Sequence, residues 1–442
     1  MTTTPSRPSL AWAGLDTYPI GFQADVASRI ARRLFRGAVR RLPVTVTERA
    51  STRRTGLAST TEIGTGGPTM AINRPDEFYA RIGRDGLIGF GEAYLTGAWE
   101  AEDLGGFLTV LAADLPRLIP EPLQKLRKAY VRRPPRHQRN TQDNTRENIA
   151  HHYDLSNEMF RVFLDDTLSY SSALFDTSAV DRGSFLQAAP PEVSNHESLT
   201  VAQERKIDRL LDQAGVTAGT RVLEIGTGWG ELAIRAARRG ATVHSVTLSS
   251  EQLELAEQRI SAAGYADRVH VELSDYRDVS TGATSGVTYD AVLSVEMIEA
   301  VGHEYWSTYF QTIDRLLAPG GRVGIQAITM PHDRMLATRH TWTWMNKYIF
   351  PGGFLPSVEA IDQITRADTS LRVTEQLSFG QHYAETLRRW DSTFMGARDE
   401  VLDLGFDETF RRMWHFYLEY SRAGFASGYI DVQQLVLERP QG

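Results

Sequence analysis

The sequence predicts an α/β protein in which a Rossmann-like, doubly wound sheet is preceded by a smaller mixed N-terminal domain. Three observations carry that reading. Strand-like and helix-like segments alternate between residues 221 and 328, as they do when parallel strands are joined by crossover helices. The run Arg221-Val-Leu-Glu-Ile-Gly-Thr-Gly-Trp-Gly-Glu231 links a short apolar strand to a helix through glycines, which turn tightly and let a ligand approach the backbone. At 442 residues the chain is also long enough for two or three separate cores.

Taken in order, residues 1–20 are rich in Thr, Pro and Ser and read as a disordered tail. The N-terminal domain follows at 21–130 and opens on a basic helix. Six arginines (Arg29, Arg32, Arg33, Arg36, Arg40, Arg41) face only Asp25 there, with Ile30, Leu34, Phe35 and Ala38 interleaved at helical spacing. A second tract, 117–139, carries eight Lys or Arg against Glu121. In a chain of net charge −7, two such tracts point to an anionic surface, membrane or nucleic acid, and the apolar stripe of the first favours membrane. Residues 51–67, rich in Thr, Gly and Ser, read as a loop, and the glycines within 86–100 as tight turns against a core. Paired prolines among charges make 131–145 a linker.

The second domain spans 146–442. An aromatic stretch opens it, 185–198 reads as a loop insertion, and a helix at 199–214 leads into the glycine-bearing strand. Strands are expected at 221–225, 242–246, 269–273, 289–295 and 321–328, helices at 231–239, 250–263 and 304–317, and an antiparallel final strand at 429–437. No cysteine is present, which excludes disulfides, thiolate nucleophiles and Cys-ligated zinc. No stretch reaches the roughly 20 apolar residues of a membrane span, and no signal-peptide run opens the chain, so a cytoplasmic protein is expected.

Ligand should sit at the carboxyl ends of the strands. The G-x-G-x-G spacing, and a second strand ending in Thr-Leu-Ser-Ser rather than an acid, favour a nucleotide-like cofactor other than NAD. Asp275 and Tyr276 end the third strand, where an acid and an aromatic could hold an adenine. Glu299 lies just past the fourth. A carboxylate there holds a ligand, serves as a base, or merely complements a helix N-terminus.

Across roughly residues 80–437 the chain resembles the cyclopropane-fatty-acid synthase family of S-adenosylmethionine-dependent enzymes. The resemblance rests on Gly89-Phe-Gly-Glu-Ala-Tyr94 with Gly97-Ala-Trp-Glu100, His152-Tyr-Asp-Leu-Ser156, Tyr170-Ser171 and Leu223-Glu-Ile-Gly-Thr-Gly-Trp-Gly230. It continues in Thr247-Leu-Ser-Ser-Glu-Gln252, Glu299-Ala-Val-Gly302, Asn346-Lys-Tyr-Ile-Phe-Pro-Gly-Gly-Phe-Leu-Pro-Ser357 and Tyr383. It implies a methyltransferase whose cofactor is bound by Gly226, Gly228, Thr247 and Gln252, the last at the ribose; Glu224 and Gly230 of the same glycine run are further candidates to bind it. Tyr170 and Ser171 would close over the methionine end, and Tyr276 would lie by the adenine. The family holds a bicarbonate ion as base, gripped by a Glu and a Tyr that match Glu299 and Tyr383, with a backbone contact matching Ile328.

Two departures touch that ion. Ser172 stands where the family has Cys, and Gln326 where it has a His that contacts bicarbonate; Ala300 also replaces a frequent His. Serine still offers a backbone N–H and a hydroxyl, whereas glutamine donates but cannot titrate. Either the anion site persists with altered basicity or deprotonation differs. The run 326–335 is most similar to a subgroup making 10-methylene or 10-methyl fatty acids of the tuberculostearic type.

The implied reaction attacks an alkene with a sulfonium methyl and leaves a carbocation. Tyr153, Tyr170, Phe175 and Tyr348 are candidates to face it, or are plain core. The expected substrate is an unsaturated phospholipid acyl chain, reached from the inner face of the membrane through the tract from Arg29 to Arg41. The expected product is a 10-methylene chain, reduced by a separate reductase partner. Alternatives are a cyclopropane product, a small-molecule methyltransferase and a non-catalytic lipid- or cofactor-binding protein. The Asn/Asp-Pro-Pro-aromatic signature of base methylases is absent, so nucleic acid is not expected, and a homo-oligomer is left open.

Overall fold

The computed structural model describes residues 12, 14–50, 59–118, 156–192, 196–279 and 288–440. The linker 131–145, Tyr153, most of the tail and the second basic tract beyond residue 118 lie outside the described residues. The chain divides into two compact units. The first comprises Met1–Arg133, Thr341–Lys347 and Leu387–Ser427, and the second Pro134–His340, Tyr348–Thr386 and Gly428–Gly442. The first unit therefore draws on two segments beyond the 21–130 expected for it.

In the first unit the strands β1 (Thr45–Ala50), β2 (Ser59–Gly64), β3 (Thr69–Ile72) and β4 (Trp99–Ala101) pair in the order β2-β1-β3-β4. Strand β2 falls inside the expected 51–67 loop. Its Thr60, Thr61 and Ile63 suit a pleated strand, and it pairs antiparallel with β1. The glycines of 86–100 make fewer turns than expected: Gly89 and Gly91 lie within the helix Leu87–Leu95. A Cβ on Gly91 would stand 2.5 Å from Cδ1 of Trp344, and one on Gly89 2.0 Å from the Arg81 carbonyl, so these positions serve close packing. Arg81, fully buried, donates to the Gly14 and Leu15 carbonyls (3.2 and 2.7 Å) and ties that part of the tail to the unit.

The basic helix spans Phe22–Val39. Its inner face carries Ala31 and Val39, both buried, and Phe35, whose ring lies 5.1 Å from that of Phe78. Arg32 and Arg36 reach the buried Glu48, Arg36 at 2.9 Å. Phe22 (83% exposed), Val26 (40%), Ile30 (56%) and Leu34 (37%) recur at four-residue steps along the outer face, beside the exposed Arg29 and Arg33.

The second unit holds β5 (Ala179–Asp181), β6 (Leu186–Ala188), β7 (Arg221–Ile225), β8 (Thr242–Thr247), β9 (Val269–Leu273), β10 (Tyr289–Val295), β11 (Leu317–Thr329), β12 (Arg372–Ser378) and β13 (Asp431–Glu438). Among the described residues they form one sheet in the order β5-β6-β12-β13-β11-β10-β7-β8-β9. Strands β9, β8, β7, β10 and β11 run parallel and β13 antiparallel between β11 and β12, as a doubly wound fold with a reversed final strand requires. Strand β6 falls within the expected loop 185–198. Three residues are too few to show alternation, and β6 is held by pairing with β12. The helices Leu199–Gln213 and Glu231–Arg238 cover one face and Trp306–Leu316 the other. No helix among the described residues is long and apolar enough to cross a membrane.

Trp99 anchors the first unit: fully buried, it donates to the Phe90 carbonyl at 2.9 Å and its ring lies 4.5 Å from Phe90 and 5.1 Å from Tyr94. Trp99→Ala should cost about 3–5 kcal/mol in denaturant unfolding of the full chain, followed by circular dichroism.

Candidate active site

Strand order reverses between β7 and β10, so a crevice opens beyond their carboxyl ends. On the β7 side, Gly226 adopts φ 97° and is pressed against Met297, whose Cγ would lie 2.5 Å from an added Cβ. Gly228, at φ 53°, has open space where a side chain would stand, which leaves its backbone free to meet a ligand. Gly230, at φ 89°, starts the helix Glu231–Arg238 in the left-handed region. Glu224, buried, accepts from the Ser245 hydroxyl at 2.5 Å, and burial pushes its carboxyl up to about 8. At the end of β8 the Thr247 hydroxyl donates to Gln252 Oε1 (3.0 Å), and Ser249 caps the helix Ser250–Ala262. Glu224, Gly226, Gly228, Gly230, Thr247 and Gln252 thus gather at the ends of two neighbouring strands, an arrangement that fits S-adenosylmethionine.

Asp275 and Tyr276 lie just beyond β9. Asp275 is held by Arg277 through Nε (2.8 Å) and Nη2 (2.5 Å), so its carboxylate is already engaged. Tyr276 lies in the hydrophobic core against Tyr309, with ring centres 5.4 Å apart. Of the aromatics, Phe175 is fully buried and stacks on His382, whereas Tyr170 and Tyr348 are partly exposed. Ser171 accepts from the buried Lys206 Nζ at 2.6 Å.

The centre of the site is a residue that the sequence analysis passed over. Glu296 follows β10 at φ 52°, a conformation uncommon outside glycine. Its Oε1 accepts from the Ser172 N–H (3.0 Å) and Gln326 Nε2 (2.8 Å), and its Oε2 from the Tyr383 hydroxyl (2.7 Å). Gln326 in turn accepts from Gln434 (3.1 Å). The loop carrying Ser172 is fixed by Ala173 N–H to Thr386 (3.2 Å) and Phe175 N–H to His382 Nδ1 (3.0 Å). Burial raises the Glu296 carboxyl, opposed by its three donors.

Tyr383 therefore donates to Glu296, whereas it was expected to grip a bicarbonate ion together with Glu299. Glu299 accepts the Ile328 N–H on Oε1, while its buried Oε2 has no hydrogen-bond partner among the described residues. Burial, and then the Glu296 charge, push Glu299 up to about 8. Bicarbonate does not fit this arrangement: the Ser172, Gln326 and Tyr383 donors expected around it hold the Glu296 carboxylate instead, and Ile328 serves Glu299. One signal in the sequence could have found Glu296. An acid directly after a buried apolar strand must be met by donors or lose its charge.

A profile of the family described as mycolic acid cyclopropane synthetase matches residues 140–435. The chain is 50% identical over 428 residues to the tuberculostearic acid methyltransferase UfaA1 of Mycobacterium tuberculosis, covering 97% of this chain and 95% of that protein. It is 32% identical over 375 residues to the cyclopropane-fatty-acyl-phospholipid synthase of Escherichia coli, covering 84% and 87%. Among solved structures it resembles the mycolic acid cyclopropane synthase CmaA1 complexed with SAH and CTAB, with TM-score 0.56, 28% identity, and coverage of 66% of this chain and 97% of that one.

Because Glu224 is pushed up to about 8 from an ordinary 4.5, the folded chain keeps a proton that the unfolded chain releases above pH 4.5. Stability should fall as pH rises across that window, by up to about 1.4 kcal/mol per pH unit for this group. Glu224→Gln should make the decline shallower in denaturant titrations run between those pH values.

Proposed function

The chain belongs to the cyclopropane-fatty-acid synthase family of S-adenosylmethionine-dependent methyltransferases, and from that membership we propose a lipid substrate and a branched product. The enzyme methylates the cis double bond of an unsaturated, oleoyl-like phospholipid acyl chain. The product is a 10-methylene chain, which a separate reductase converts to 10-methyl. The near-full-length match to a tuberculostearic acid methyltransferase carries this reading.

When bound, S-adenosylmethionine supplies an electrophilic methyl on a sulfonium, which a weakly nucleophilic alkene needs. The backbone at Gly226 and Gly228, with Glu224, Thr247 and Gln252, would hold it, and Tyr170 and Ser171 would close over its methionine end. Tyr170 and Tyr348 offer ring faces to the positive charge left on the acyl chain, and water is kept away from it. A hydride shift along the chain followed by loss of a proton from the added methyl gives the methylene. Proton loss without the shift gives a cyclopropane.

The basic helix supports membrane docking. Its exposed Phe22, Val26, Ile30 and Leu34 form an apolar stripe flanked by Arg29 and Arg33, the pattern of a helix lying in a lipid interface. Neutralising Arg29 and Arg33 to Gln should weaken binding to anionic vesicles by roughly 30-fold, at about 1 kcal/mol for each charge. Unchanged sedimentation with vesicles would remove this role.

Two measurements test the rest. Gly226→Ala, which sets a Cβ against Met297, should lower S-adenosylhomocysteine affinity about tenfold or more by calorimetry. Oleoyl phospholipid vesicles incubated with the protein and S-adenosylmethionine should gain one CH₂ by mass spectrometry and show an exocyclic alkene by NMR. A ring would instead make the chain a cyclopropane synthase, and no gain despite bound cofactor would make it non-catalytic.

A further inference from the structure

Glu296 has no part in the reaction as set out so far, yet the structure spends much on it. Its backbone sits in the left-handed region, where a side chain is disfavoured by about 1 kcal/mol or more. Its carboxylate is set at the carboxyl end of β10, where cofactor and substrate are expected to meet. Three donors from three segments converge on it: a backbone N–H at Ser172, an amide at Gln326 and a phenol at Tyr383. These are the positions at which the family places its bicarbonate contacts. Here a carboxylate belonging to the chain occupies them.

We propose that Glu296 is the catalytic base, a carboxylate built into the protein that does the work a bound bicarbonate does elsewhere in the family. The proposal rests on the methyltransferase function above. The balance is simple. A C–H bond of the methylated, cationic acyl chain breaks, its electron pair becomes the new C=C bond, and the proton goes to a Glu296 oxygen. The neutral carboxyl then releases that proton to solvent before the next turnover. No further reactant is required.

Two features assign the charge to Glu296 rather than to Glu299. Three donors from other segments favour the ionised form of Glu296, whereas Glu299 is met by backbone N–H groups alone, that of Ile328 and its own. Burial and the Glu296 charge push Glu299 up to about 8, which favours its neutral form, so the two carboxyls need not both be charged. Lys206, beside Ser171, adds a nearby positive charge that favours the Glu296 carboxylate. One of the family departures also gains a reason. A bicarbonate-binding histidine can titrate, while Gln326 gives a fixed donor to a fixed carboxylate and accepts from Gln434 on its other side.

The test uses the full chain with S-adenosylmethionine and oleoyl phospholipid vesicles. The wild-type rate should be the same in carbon dioxide-depleted buffer and with bicarbonate added. Glu296→Gln should lose about 10²- to 10⁴-fold in turnover while binding S-adenosylhomocysteine as the wild type does. Glu296→Gly relieves the backbone strain and leaves three donors around a carboxylate-sized gap, so it should fold. Added bicarbonate or formate should raise its rate about tenfold or more. A wild-type rate that falls without bicarbonate, a fully active Glu296→Gln, or a folded Glu296→Gly that no carboxylate rescues would each overturn the assignment. Absence of methylated lipid from the wild type in every buffer would instead overturn the function proposed above, and this inference with it.

Discussion

A carboxylate placed at the end of a buried strand is the constraint on which the second unit depends. Removing such a charge from water costs several kcal/mol, and only well-placed donors offset that. For Glu296 they come from the loop at Ser172, from β11 through Gln326, and from the helix Gly380–Gly396 through Tyr383. The network extends to β13, where Gln434 donates to Gln326 and to the Lys206 carbonyl and accepts from Arg209 at 2.6 Å. Four separated stretches of chain must therefore meet at one point for one charge to be tolerated. Polar networks of this kind hold elements in a single arrangement because partial satisfaction is worse than none.

The parallel strands were legible because each is a short apolar run bounded by turn residues. The expected 221–225, 269–273 and 289–295 coincide with β7, β9 and β10. Strands β2 and β6 were hidden, the first by its Thr-rich composition and the second by its length; β2 is held by the neighbouring β1 and β6 by β12, far along the chain. The site was half legible. Ser172, Gln326, Ile328, Glu299 and Tyr383 were singled out by resemblance, and the structure joins them in two hydrogen-bonded groups, but the hub of the larger group carried no motif. Glu296 is visible only when the donors are counted, because its meaning lies in side chains that are remote in sequence.

Net charge likewise misleads when read as a sum. Of the six arginines near the N-terminus, Arg32 and Arg36 are engaged by Glu48, which is itself buried beneath them and also accepts from Tyr79 at 3.2 Å. They hold the helix to its unit. Arg29, Arg33, Arg40 and Arg41 remain exposed, and with them the apolar stripe. One helix thus has a face that packs into its unit and a face left exposed.

The first unit is assembled from pieces far apart in the chain. Arg412 donates to the Tyr94 carbonyl across 318 residues, at 3.0 and 2.7 Å from its two nitrogens. On a ribosome that separation is time. At about 5–20 residues per second, the segment bearing Tyr94 waits roughly 15–60 s for its partner to be made. Throughout that interval the helix at Phe22–Val39 and its inner-face partners Glu48 and Phe78 are already made, while the unit they belong to is unfinished. Nascent chains of this protein therefore present a greasy, cationic segment early. That outer face is therefore exposed before the enzyme exists.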